Sequence, residues 1–69
     1  MQDDLPSPAT GADLATLRKS LGVRQADIAR KLGIGRVSLH RWEQADSVDA
    51  IRAARYRRAV DELYRDAVA

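Results

Sequence analysis

The sequence predicts an all-α protein, a small bundle of four helices whose C-terminal helix is the longest. Two observations carry this prediction: apolar residues recur three and four positions apart, and glycines stand where the early helices would stop. The chain has 69 residues, enough for one domain, and no cysteine. Because disulfides are unavailable, close helix packing or a partner subunit must stabilise so small a core.

The first nine residues contain both prolines of the chain and few apolar groups. They predict a flexible N-terminal arm over residues 1–9 and a single domain over 10–69. Thr10 is a suitable N-cap for a first helix over about residues 12–21. Its apolar stripe consists of Leu14, Leu17 and Leu21. Gly22 fits the left-handed position that follows a helix end.

Two shorter helices are predicted next, over residues 25–32 and 36–44. The first is expected to turn Ala26, Ile28, Ala29 and Leu32 inward. The second is expected to bury Leu39 and Trp42. Gly33 and Ile34 form the short turn between them. Residues 25–44 therefore read as a helix-turn-helix, a motif whose second helix enters the major groove of DNA.

A fourth helix is predicted over about residues 48–67, capped by Asp46 or Ser47. Its later half carries an apolar seam of coiled-coil spacing, formed by Tyr56, Val60, Leu63 and Ala67. Apolar residues of its first half lie on another side, namely Val48, Ile51 and Ala54. We expect the first half to pack on the domain and the seam to meet a partner. The alternative is that the seam completes the core of one chain.

The charge is concentrated, because residues 18–41 hold seven basic side chains and one acidic one, a local balance of +6. Such a cluster is typical of a polyanion-binding face, although a solvated helix surface is the other interpretation. Its overlap with the helix-turn-helix favours nucleic acid. In the fourth helix, Arg52 and Arg55 are predicted to reach phosphate. Arg57 and Arg58 are instead expected to pair with Asp61 and Glu62.

With Leu39 and Trp42 facing inward, the outward residues of the third helix are Arg36, Val37, Ser38, His40 and Arg41. Arginine suits the O6 and N7 acceptors of guanine, and valine suits the methyl group of thymine. The N-terminus of the second helix favours an anion, and Gln25 adds a side-chain donor there. The third helix is thus predicted to read bases while the second contacts the backbone.

The segments LATLRKSLG, VRQADIARKLGIGRVSLHRWEQ and AARYRRAVDEL resemble the Cro/C1-type (XRE-like) helix-turn-helix family of phage repressors and bacterial regulators. The likeness runs from Leu14 to about Leu63. It implies that Gln25 contacts phosphate and braces a base-reading side chain, and that Ala29 lets the two helices approach closely. It implies base reading by Arg36, Val37, Ser38 and Arg41, with His40 more peripheral.

The chain departs from the family at two helix caps, where serine or threonine is usual. Arg24 precedes the second helix and cannot cap it, and Gly35 precedes the third. We expect Arg24 to contact phosphate instead. The predicted phosphate contacts are Arg24, Gln25, His40, Arg52 and Arg55, although His40 could equally contact a base edge or simply be exposed.

The sequence therefore predicts a sequence-specific, double-stranded-DNA-binding transcriptional regulator, expected to be a repressor. A homodimer is expected, because such proteins read two half-sites about 34 Å apart. Its interface would be Tyr56, Val60, Leu63 and Ala67. The alternative is an antitoxin or adaptor that grips a protein partner through the C-terminal helix.

Other classes of function are not favoured by the residues. Ser38 and His40 could suggest a nucleophile and a base, but their side chains diverge by about 200° on a helix, so no catalytic residue is predicted and the chain is not expected to be an enzyme. No metal, cofactor or small-molecule ligand is expected. No apolar run approaches the ~18 residues of a membrane span, so a cytoplasmic location is expected, in a bacterium or a phage-infected host.

Overall fold

The structure is a computed structural model that describes residues 8–69, and these residues form four α-helices. They are α1 (Gly11–Ser20), α2 (Gln25–Leu32), α3 (Arg36–Gln44) and α4 (Ala50–Val68). The all-α prediction with a longer last helix is confirmed, and α2 and α3 have the predicted bounds. Most of the predicted arm, residues 1–7, lies outside the described residues.

The early helices begin and end for the reasons expected. The Thr10 hydroxyl accepts the backbone N–H of Asp13 at 3.0 Å, which caps α1. Gly33 has a φ of 71°, in the left-handed region that side chains disfavour, so α2 stops there. The chain then turns sharply, because the N–H of Ile34 reaches back to the carbonyl of Ala29 at 3.0 Å.

The start of α4 differs from the prediction. Asp49 caps the helix rather than Asp46 or Ser47, and its carboxylate accepts the backbone N–H three residues on at 2.8 Å. The reason is a backbone bridge in which Ala9 and Val48 exchange N–H···O hydrogen bonds of 3.1 and 2.7 Å. This bridge holds Val48 in an extended conformation, so the helix cannot begin before it.

The core lies where α1 and α2 each pack against both α3 and α4. Its buried apolar residues are Leu14, Ile28, Ala29, Leu39, Val48, Ala53, Tyr56, Ala59 and Val60. Leu39 is fully buried, and Trp42 is partly buried against the same cluster, so both face inward as predicted. Ala26 does not, because its side chain is exposed.

The first half of α4 packs through a different face from the one predicted. Val48 precedes the helix, Ile51 is 73% exposed and Ala54 is exposed. Ala53 makes the contact instead and is fully buried. Ala53 lies three residues before Tyr56, so it extends the apolar seam toward the start of the helix, and α4 has one inward face rather than two.

That single inward face changes the interpretation of the seam. Tyr56 and Val60 are 0% and 1% exposed within one chain, so they belong to its core, and neither is left on the surface for a second copy. The alternative considered from the sequence is correct for these two residues. Leu63 is partly buried against the core and Ala67 is exposed, so their role in a dimer remains a prediction.

Gly11 should be sensitive to the smallest enlargement. A Cβ at this position would lie 2.6 Å from the carbonyl carbon and oxygen of Glu43, which belong to backbone that cannot swing aside. We expect Gly11→Ala to lower the free energy of unfolding by about 1–3 kcal/mol, as overpacking does, measured by urea denaturation.

Gly35→Ser is the matched control, because nothing lies within 4 Å of a Cβ there and its φ is −73°. Serine also caps α3 slightly better than glycine does. Its stability should equal or slightly exceed that of the wild type. Equal losses in the two variants would contradict the close approach of α1 to α3.

Candidate nucleic-acid interface

The outer face of α3 carries the five side chains predicted to face DNA, and all five are exposed. They are Arg36, Val37, Ser38, His40 and Arg41. Leu39 sets the rotation of α3 about its axis, since its side chain is fully buried in the core. Val37 is 67% exposed, which leaves apolar surface among the polar groups. This face therefore presents two guanidinium groups and one aliphatic contact side by side.

The N-terminus of α2 lies beside this face, because Gln25 lines a shallow hollow together with Arg36, Val37 and His40. Arg24 occupies the N-cap without a side-chain capping bond, as expected from its chemistry. The first N–H groups of a helix and its partial positive charge attract an anion. Within residues 8–69, no carboxylate lies at ion-pair distance from Arg24, Arg36 or Arg41. These three cations can therefore serve an external polyanion.

Other bases of the +6 cluster are already paired, so the count from the sequence overstates the available charge. Two of these pairs are exposed: Arg30 with Asp27 at 3.5 Å, and Lys31 with Glu62 at 3.2 Å. Arg18 forms a buried pair with Glu43 at 2.7 Å. The basic surface is thus narrower than the sequence suggested and is centred on the helix-turn-helix.

Among the predicted intrahelical pairs of α4, one is present, and the phosphate contacts of Arg52 and Arg55 remain predictions. Arg52 is exposed, pairs with Asp49 at 3.3 Å, and lies over the Trp42 ring with 5.8 Å between guanidinium carbon and ring centroid. Arg55 donates to the carbonyl of Leu32 at 3.4 Å. The predicted pair of Arg58 with Glu62 is present at 3.2 Å, whereas Asp61 pairs with Arg65 at 3.2 Å.

One buried carboxylate connects all four helices. Glu43 of α3 is 6% exposed, and Arg18 of α1 clasps it with Nε–Oε2 and Nη2–Oε1 distances of 2.7 and 3.0 Å. The Tyr56 hydroxyl of α4 donates to Oε2 at 2.5 Å. The Gln25 amide of α2 donates to Oε1 at 3.0 Å. Arg18 also donates to the carbonyl of Val23 at 3.2 Å, which ties the α1–α2 connection to the same centre.

The ionisation of this group follows from its partners. Burial raises the pKa of Glu43, but the hydrogen bonds from Arg18, Tyr56 and Gln25 outweigh it, so the pKa lies below its ordinary value. The hydrogen bond to Glu43 raises the pKa of Arg18. Burial and the Glu43 carboxylate raise the pKa of Tyr56. Glu43 and Arg18 are therefore charged and Tyr56 is neutral at physiological pH.

Gln25 is held by this network rather than left free. Its amide nitrogen lies 3.0 Å from Glu43 Oε1 and 3.4 Å from His40 Nδ1. The side chain predicted to contact phosphate therefore directs its amide nitrogen to two groups of the protein. One is Glu43 in the interior, and the other is His40 on the outer face of α3.

Sequence reasoning missed this network and assigned its members elsewhere. Arg18 was counted in the basic cluster, Tyr56 was placed at a dimer interface, and Glu43 had no role. One signal was available: Glu43 lies four residues after Leu39 and so shares its inward face. A carboxylate on a buried face requires a cation and hydrogen-bond donors.

Comparison with known protein families decides the classification. The model of the helix-turn-helix domain family matches residues 9–65, most of the chain. The chain belongs to the helix-turn-helix family. Membership of this family supports DNA binding, and the family is typically non-enzymatic. No curated protein and no solved structure matches the chain.

Over the described part of the chain, none of the helices combines the length and apolar character needed to cross a membrane. No cluster of three or more potential metal ligands occurs among residues 8–69.

Removing the charge at Glu43 should destabilise the helix-turn-helix domain. Glu43→Gln leaves the Arg18 guanidinium, whose side chain is only 12% exposed, without its counter-ion. We expect the free energy of unfolding to fall by about 3 kcal/mol, measured by urea denaturation. Glu62→Gln, which loses only exposed pairs to Lys31 and Arg58, should change stability little.

Acid should abolish the difference in the free energy of unfolding between the wild type and Glu43→Gln. The pKa of Glu43 is lower in the folded state than in the unfolded state, where it is about 4.3. The stabilisation by the Glu43 carboxylate is therefore complete above the unfolded pKa, and it is lost as the pH falls through the lowered pKa of the folded state. Unfolding curves recorded from neutral pH downward should converge. If the difference in stability between the two proteins stays constant into strong acid, the charge of Glu43 is not its cause.

Proposed function

We propose that this domain is a sequence-specific, double-stranded-DNA-binding transcriptional regulator of Cro/C1 type, acting as a repressor by occluding a promoter. The observation that carries the proposal is the outer face of α3, where Arg36 and Arg41 flank exposed Val37 and Ser38 and face no carboxylate within the described residues. In the proposed complex α3 lies in the major groove, and these four side chains meet base edges.

Phosphate contacts would hold the domain in register on either side of α3. Arg24 at the N-cap of α2 combines its charge with the helix N–H groups. His40 borders the groove-facing side chains on α3, and Gln25 lies between it and the core. Arg52 and Arg55 extend the basic surface onto α4. Such contacts position the protein without reading sequence.

A homodimer would let two copies of α3 read half-sites about 34 Å apart. The end of α4 supports this arrangement, because Leu63 and Ala67 share it with two further apolar side chains that are exposed. Tyr64 is 38% exposed and Val68 is 65% exposed. The same apolar surface supports the second candidate, an antitoxin or adaptor that binds a protein partner through α4. A protein of other sequence that copurifies with the domain would favour this second function.

Substitution at α3 should separate base reading from backbone contact. After a binding site is selected from random duplex DNA, we expect Arg36→Ala and Arg41→Ala to weaken binding to that site roughly 5- to 150-fold, because a good bidentate base contact is worth about 1–3 kcal/mol. Binding to random DNA should weaken much less, with a slightly shallower salt dependence. Fluorescence anisotropy over a salt series measures both.

Arg65→Ala is the charge-matched control, because Arg65 lies near the end of α4 and pairs with Asp61 at 3.2 Å. It should leave both affinities nearly unchanged. If Arg36→Ala and Arg41→Ala lose equally on selected and random DNA, they contact only phosphate, and sequence-specific reading by these residues is wrong.

The dimer proposal predicts that Ala67→Glu yields monomers, because it places a charge within the apolar end of α4. Ala54→Glu, at another exposed alanine of α4, should remain dimeric. Sedimentation equilibrium at micromolar concentrations distinguishes these states. If the wild-type protein is monomeric at tens of micromolar and also binds its selected site as a monomer, the homodimer is refuted.

A further inference from the structure

The buried carboxylate determines which atom of Gln25 faces it. Glu43 is ionised and only accepts hydrogen bonds, so the Gln25 atom 3.0 Å from its Oε1 must be the amide nitrogen. This removes the usual ambiguity between the nitrogen and oxygen of a glutamine side chain. The orientation of Gln25 is therefore set from inside the protein.

The same amide nitrogen determines the state of His40. This nitrogen carries two hydrogens and does not accept hydrogen bonds. Its second neighbour is His40 Nδ1 at 3.4 Å. Nδ1 must then be the acceptor of that contact. In a neutral imidazole only one ring nitrogen carries a proton, so the proton lies on Nε2, beyond Cε1 and away from Gln25.

His40 also lies closer to the base-reading residues than the sequence implied. It is exposed, and it lines a shallow hollow together with Gln25, Arg36 and Val37. A donor at His40 Nε2 is therefore presented beside two of the side chains proposed to read bases, rather than at the margin of the surface.

We propose that Glu43, acting through Gln25, holds His40 in the tautomer protonated on Nε2, so that His40 offers DNA one N–H donor for a bare acceptor. That acceptor is a purine N7 or a phosphate oxygen. The role on DNA rests on the proposed function, whereas the tautomer is a property of the free protein. Glu43 and Gln25 are positioning residues, and of these three residues only His40 touches the DNA.

The consequence for recognition is directional. A ring with a single outward N–H favours acceptors and disfavours the amino groups of adenine and cytosine. The other tautomer would present a bare nitrogen there and reverse that preference. The network thus assigns His40 a defined hydrogen-bonding polarity, not only a position.

The tautomer is tested in the free protein by long-range ¹H–¹⁵N correlation spectra of the His40 ring, recorded at mildly alkaline pH. The wild type should show a bare Nδ1 and a protonated Nε2. Gln25→Ala leaves Glu43 with its Arg18 and Tyr56 partners, so the fold is expected to persist. In Gln25→Ala, the ¹⁵N chemical shifts of the two His40 ring nitrogens should become more alike, because the two tautomers exchange.

Gln25→Met keeps the length of the side chain without its donors and should behave like Gln25→Ala. A wild-type spectrum with the proton on Nδ1 would overturn the proposal. Ring shifts that are identical in the wild type and both Gln25 variants would also overturn it, since Gln25 would then not set the tautomer.

The role on DNA is tested with two variants that differ in where they place an amide. The amide nitrogen of His40→Gln reaches about the position of Nε2, whereas the shorter His40→Asn reaches only that of Nδ1. On the selected site, His40→Gln should bind within about two-fold of the wild type, and His40→Asn about three- to ten-fold more weakly, the effect of one lost hydrogen bond. Equal affinities would overturn the role.

Modified DNA identifies the acceptor. Purines with carbon in place of N7, placed one at a time, should reproduce the loss of His40→Asn if a base is contacted. Uncharged methylphosphonate linkages should do so if phosphate is contacted, and no effect from either would contradict the donor role. If the wild type binds no duplex DNA, the proposed function fails, and the ring shifts of the free protein still decide whether Gln25 positions His40.

Discussion

The charge on Glu43 is the constraint on which the rest of the structure depends. Each helix contributes one group to this carboxylate: Arg18, Gln25, Glu43 itself and Tyr56. A buried charge is tolerated only when its counter-ion and its donors are all in place, and within the described residues no buried side-chain polar atom lacks a hydrogen-bond partner. The four helices must therefore reach their relative positions together. Since Glu43 lies on α3, the same requirement sets the pose of the helix that carries the exposed arginines.

The network also sorts the positive charge between interior and surface. A net charge of +2 over the whole chain would attract a polyanion only weakly. Arg18 is withdrawn into the core, while Arg24, Arg36 and Arg41 remain outside with no carboxylate near them in the described part of the chain. The attraction is thus local and directional, since it arises where α2 begins and along the outer face of α3.

Local signals in the sequence were sufficient for the helix-turn-helix itself. Gly33, with its positive φ, and the helical spacing that buries Ile28 and Leu39 located α2 and α3 correctly. Long-range contacts were not readable in the same way. The cap of α4 depends on the bridge between Ala9 and Val48, and the ion pair of Arg18 with Glu43 joins residues 25 positions apart. The small Ala53 concealed that the apolar face of α4 is continuous, so Tyr56 and Val60 were assigned to a partner instead of the core. The roles of the exposed side chains on DNA remain predictions.

On α3, the exposed side chains are separate from the buried Glu43, and this separation affects which substitutions the domain can accept. Arg36, Val37, Ser38 and Arg41 take no part in the carboxylate network, whose α3 member is Glu43. Substitutions at those four surface positions alter the chemistry offered to a binding site without disturbing the buried charge. Exposed positions of this kind usually tolerate replacement at little cost in stability. The chemistry of this outer face can therefore change, by drift or by design, one side chain at a time on an unchanged scaffold. His40 is the exception, because a new residue there also removes one of the two contacts of the Gln25 amide, although the contact with Glu43 remains.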